Sequence, residues 1–189
     1  MHPTVPWDSR TEADHDGYAV TLTLNEITPG VTVLHQRAEN ELARDGKLLG
    51  TIGLIMPDAR IGAVLPFGPG GQPPSDAFVR EHAAARGAVG LVLTGMYSIN
   101  PEPLTRRQAN LDPRDLPLPS GLDPSQRGEQ ILSTAVLHGH DLVLRVSTPI
   151  ARTAFGTSLG ERSIVADSPA MTTGEARHLL ALLETIAHQ

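Results

Sequence analysis

The sequence predicts one domain of the α/β or α+β class, a mixed sheet of about five to seven strands with two or three helices on its faces. Three observations lead there. The chain of 189 residues is the length of one ordinary domain, enough to bury a core without metals or disulfides. Apolar runs of strand length recur along it, most of them bounded by Gly, Pro or Asp. The last fifteen or so residues carry an apolar stripe at helical spacing.

Residues 1–17 are polar and hold two prolines, and they read as a flexible N-terminal arm ahead of a domain spanning 18–189. From Tyr18 the residues alternate, with Tyr18, Val20, Leu22 and Leu24 on one side and Ala19, Thr21 and Thr23 between them, the pattern of a half-buried strand. Pro29-Gly30 signals a turn, and Val31 to His35 fits a second strand. Gln36 to Asp45 fits a short helix stopped by Gly46, with a hairpin turned at Asp45-Gly46 as its rival.

Leu48 to Met56 has the length and composition of a buried strand, Pro57-Asp58 of a turn, and Arg60 to Leu65 of a further strand. The loop Phe67 to Pro74 leads to Ser75, an N-cap residue for a helix ending near Arg86 with Gly87 in the left-handed position. Ala88 to Thr94 reads as a central strand. Ile131 to Leu137 and Leu142 to Val146 form a hairpin closed by His138-Gly139-His140-Asp141, and Ser163 to Ala166 is a last short strand. Thr172 and Glu175 make a capping box for the final helix. Its stripe of Ala176, Leu179, Leu180, Leu183, Ile186 and Ala187 is expected to pack on the sheet or on a partner subunit.

Between these elements, residues 96–128 are irregular. Pro101, Pro103, Pro113, Pro117, Pro119 and Pro124 punctuate a stretch without apolar periodicity. Such inserts are uncommon inside compact domains and point to a lid, a contact arm or an insert without structure of its own.

Composition narrows the chemistry. The chain has no cysteine, which removes disulfides, thiolate nucleophiles, zinc–thiolate sites and iron–sulfur clusters. The formal net charge is −6, so nucleic-acid binding would need a local basic patch, and only 3% of residues are aromatic, which disfavours a stacking surface for single strands. Lys47 is the only lysine. There is no run of about 18 apolar residues to span a membrane. The start of the chain lacks the basic and apolar regions of a signal peptide, so a cytoplasmic location is expected.

Four patterns could carry function. His138 and His140 face the same side of an extended backbone, a spacing that suits a divalent metal, with Asp141 as a third ligand or orienting group and His35 or His82 as further ligands by residue type alone. A polar turn accounts for the same residues. Gly156-Thr157-Ser158-Leu159-Gly160 matches the nucleophile-elbow pattern G-x-S-x-G, with Asp167 and His178 following, but the next residues read as a strand where the elbow needs a helix. Arg106, Arg107, Arg114 and Arg127 could meet a small anionic ligand or a partner, although Asp112, Asp115 and Asp123 balance them. The glycines of Phe67 to Gly71 lack the GK[ST] and G-x-G-x-x-G context of phosphate loops, and Pro73 and Pro74 withhold amide donors. His82 reads as a satisfied histidine on an apolar helix face. The acidic pairs Asp14/Asp16 and Glu39/Glu41 show no apolar frame that would fit them for acid–base work.

Two functional expectations follow. One is a binding or accessory protein, homo-oligomeric or with a protein partner, that uses the Pro-rich 96–128 segment as its contact; no cofactor is favoured. The other is a small metal-dependent hydrolase in which His138, His140 and Asp141 hold an ion that activates water.

Overall fold

The computed structural model describes residues 22–99, 128–140, 142–154, 156–167 and 174–187. Within them lie three helices, α1 (Leu24–Asp45), α2 (Asp76–Arg86) and α3 (Gly174–Ala187), and seven strands. The strands are β1 (Thr51–Ile55), β2 (Ile61–Pro66), β3 (Gly90–Ile99), β4 (Gly128–Leu137), β5 (Val143–Thr153), β6 (Gly156–Leu159) and β7 (Ser163–Asp167). They make one sheet in the order β2-β1-β3-β4-β5, and both β6 and β7 pair along the remaining edge of β5. Each of these pairings is antiparallel. β2 and β3 both run against β1, so they are parallel to each other, and α2 connects them across it as a split β-α-β unit.

Strand alternation gives the sheet two apolar faces, and helices cover both. Ile52, Leu54, Leu91, Leu93 and Val136 pack with Val79 and Ala83 of α2 and with Ala176, Leu179, Leu182 and Leu183 of α3. Val92, Ala135, Leu144 and Val146 on the other face pack with Ile27, Val31 and Leu34 of α1. The C-terminal helix therefore packs on the sheet, as its stripe predicts, and α2 lies beside it. α2 begins and ends where the sequence indicates: Ser75 Oγ accepts from the Phe78 amide, and Gly87 is left-handed.

The N-terminal third differs from expectation. Leu24 opens α1 and does not close a strand, and Pro29-Gly30 and Val31–His35 lie inside this 22-residue helix. The reason is a capping box the alternation concealed. Thr23 Oγ1 accepts from the Glu26 amide, and Glu26 Oε2 accepts from the Thr23 amide at 2.7 Å. Ile27, Val31, Leu34, Ala38 and Leu42 then recur at helical spacing straight through the proline, and all are buried. Pro29 leaves one helical carbonyl without its amide donor, but burial of a stripe this long outweighs that loss. Gly30 serves packing: a β-carbon there would stand 3.3 Å from the Ala59 carbonyl oxygen and 3.5 Å from Ile61, so glycine lets α1 lie against the β1–β2 turn. The helix expected over Gln36–Asp45 is the second half of α1, ended by left-handed Gly46.

The expected strands over 48–56, 60–65, 88–94, 131–137, 142–146 and 163–166 correspond to β1, β2, β3, β4, β5 and β7, while β6 went unforeseen. Met96–Ile99 and Gly128, assigned to the irregular segment, belong to β3 and β4, where Ile99 pairs with Gly128. The rest of that segment, 100–127, lies outside the described residues, as do the arm 1–17, Tyr18 to Thr21 and Thr172 of the second capping box. No helix among the described residues is long and apolar enough to cross a membrane.

Candidate functional site

Among the described residues two places concentrate polar chemistry, one buried and one open. The buried one lies between α1 and strands β3, β4 and β5. His35 is fully buried there, with Nδ1 2.9 Å from Ser133 Oγ and Nε2 2.9 Å from Thr148 Oγ1. Thr148 Oγ1 donates to Glu39 Oε1 at 2.6 Å, and Thr94 Oγ1 lies 2.8 Å from Ser133 Oγ. Arg162, from the β6–β7 connection, grips the Glu39 carboxylate with Nε and Nη2, and Nη2 also reaches Gln36.

These contacts fix one direction of donation. A carboxylate only accepts, so the Thr148 proton points at Glu39. Thr148 Oγ1 must then accept from His35 Nε2–H. The neutral ring is left with an acceptor at Nδ1, which takes the Ser133 hydroxyl proton, and Ser133 in turn accepts from Thr94. This is the pattern of a neutral imidazole. Burial does lower the His35 pKa, to about 4; Glu39 pulls it up and Arg162 pushes it down. The carboxyl of Glu39 is pushed up by burial, but hydrogen bonds from Arg162 and Thr148 and the Arg162 charge prevail and hold it below its ordinary value. Glu39 is thus buried, which its sequence context did not reveal, yet its carboxyl is held low and not raised. Capped at its outer end by the partly exposed Arg162, the chain of hydrogen bonds joins α1 to three strands.

The open place is a cavity of about 470 Å³ on the opposite face of the sheet. Ile52 and Leu93 form its floor, Leu179 and Leu182 of α3 one wall, and Phe67, Pro73 and Pro74 the other. The Phe67–Pro74 loop, read from sequence as a plain connector, is therefore a wall. The polar groups lining the cavity are Asp76, at the start of α2, with Tyr97 and His178. His178 Nε2 lies 3.0 Å from Asp76 Oδ1, and both side chains are about half exposed, so the pair stands at the mouth. A shape of this size, apolar inside with few polar groups, is that of a small-molecule site. Sequence reasoning placed His178 correctly in the last helix but could not pair it with Asp76.

The residues singled out by sequence are distributed elsewhere. His138 is exposed at the β4–β5 turn, its amide bonded to the Val89 carbonyl. His140 follows Gly139 (φ 73°) and is half-buried, with Nε2 enclosed and without a partner among the described residues. Asp141 lies outside the described residues. Both ring nitrogens of His35 face hydroxyls, and His82 Nδ1 sits 2.9 Å from the Phe78 carbonyl oxygen. Among the described residues no three His, Asp or Glu side chains cluster as a metal site. Ser158 is exposed on edge strand β6, and the chain runs on into β7 with no helix following, so the strand–turn–helix of an elbow is absent there. Arg106, Arg107, Arg114 and Arg127 lie outside the described residues.

No family model matches this chain, and neither a curated protein nor a solved structure matches it significantly.

Proposed function

We propose that this chain is a non-enzymatic binding protein whose ligand is a small, largely apolar molecule held in the cavity between α3 and the sheet. The observation that carries this reading is the separation of chemistry in that cavity: aliphatic and aromatic walls inside, and the Asp76–His178 pair at the mouth. We extend the proposal to the Pro-rich segment. Its two ends leave the sheet at the paired residues Ile99 and Gly128, just beyond Tyr97 of the cavity wall. Its length and proline content suit a contact with a protein partner or a second copy of the chain, and its arginines suit an anionic group on that partner.

Titration with the neutral dye Nile red tests the first part. Saturable fluorescence enhancement is expected, and Leu182→Phe, which fills the cavity, should weaken it while the melting temperature stays close to that of the parent. Enhancement unchanged in Leu182→Phe and in Leu179→Phe would place binding elsewhere and remove the proposal. Replacing 100–127 by a two-residue turn, which the Ile99–Gly128 pairing accommodates, tests the second part. Native mass spectrometry should show the shortened chain losing any self-association of the full chain.

A second reading rests on one observation, the enclosed and unpartnered His140 Nε2. A buried nitrogen without a partner is costly, and a metal ion would satisfy it. In that reading His138, His140 and Asp141 hold a divalent ion that activates water. Equilibrium dialysis of untagged protein against zinc decides it, since binding must fall on His140→Ala.

A further inference from the structure

We infer that the cavity selects a small apolar amine, with the protonated nitrogen at Asp76. This rests on the binding reading above and adds the chemical class of the ligand. Three features point to a cation. Asp76 brings a full negative charge to the mouth, and neither Lys nor Arg is among the described residues lining the cavity. The Asp76 carboxylate accepts from His178 Nε2, a contact that fixes the carboxylate at the mouth. Phe67 and Tyr97 set aromatic rings into the same walls, and ring faces attract cations as well as apolar bodies. An acid placed the same way would bring a second negative charge against Asp76, and an alcohol would gain a hydrogen bond without the Coulombic attraction.

Isosteric probes separate these outcomes: naphthylmethylamine, naphthylmethanol and naphthoic acid, each titrated by NMR into the full chain. The amine is expected to bind about threefold tighter than the alcohol, the modest factor appropriate to a half-exposed charge, and the acid to bind weakest. Asp76→Asn should bring amine and alcohol to equal affinity. If the alcohol matches the amine on the parent protein, or the amine's advantage survives Asp76→Asn, the amine inference is wrong while the cavity remains a binding site. If none of the three binds, the cavity reading falls with it.

Discussion

His35 and Thr148, separated by 113 residues of chain, meet inside the protein with the imidazole Nε2 2.9 Å from the threonine hydroxyl. Thr148 donates its own proton to Glu39, so the contact exists only while the ring keeps a proton on Nε2.

Burial of this ring makes stability depend on pH. The folded-state pKa of His35, about 4, lies below the value near 6.5 of a histidine in an unfolded chain. Between those values the unfolded chain binds a proton that the folded chain refuses. Stability is therefore complete above about pH 6.5 and declines as the pH falls toward 4, by roughly 3 kcal/mol in total. Glu39, whose carboxyl is also held low, adds a loss in the same direction at more acid pH. Urea denaturation at successive pH values should show the decline, and His35→Gln should flatten it between 6.5 and 4 while lowering stability at neutral pH. An unaltered slope in that variant would show that another group titrates.

Arg162 compensates the buried Glu39 carboxylate. Arg162→Ala leaves that charge without its partner and is expected to cost about 2–3 kcal/mol. Adding Glu39→Gln removes the stranded charge and should recover part of the loss, so the double variant is more stable than Arg162→Ala alone. Chemical denaturation of the four proteins of the cycle measures the coupling.

The capping box at Thr23 and Glu26 holds the start of α1. Thr23→Ala should lower stability by about 1 kcal/mol, seen as a reduced denaturation midpoint with little change in helical circular dichroism. If residues before Leu24 formed a strand with Thr23 on its solvent side, the same substitution would have almost no effect.

Much of the fold was legible because its signals are local. Ser75 and Gly87 bracket α2, the stripe of α3 repeats within one helix, and the apolar runs of β4 and β5 are separated by a turn of suitable residues. Where two local signals competed, at Thr23 to His35, the alternation of four apolar residues and a Pro-Gly pair masked a capping box and a stripe that only becomes visible over more than fifteen residues. β6, four residues long and exposed at the sheet edge, has no apolar alternation by which to be recognised.

By itself, then, the order of residues determined the class of fold, the second and third helices and most of the strands, because caps, turns and periodicity act between near neighbours. Tertiary structure alone decided which polar groups meet. Glu39 is buried because Arg162 arrives from 123 residues away, and Asp76 faces His178 across 102 residues because α2 and α3 share one face of the sheet. Such encounters depend on strand order and helix placement, and no spacing along the chain encodes them.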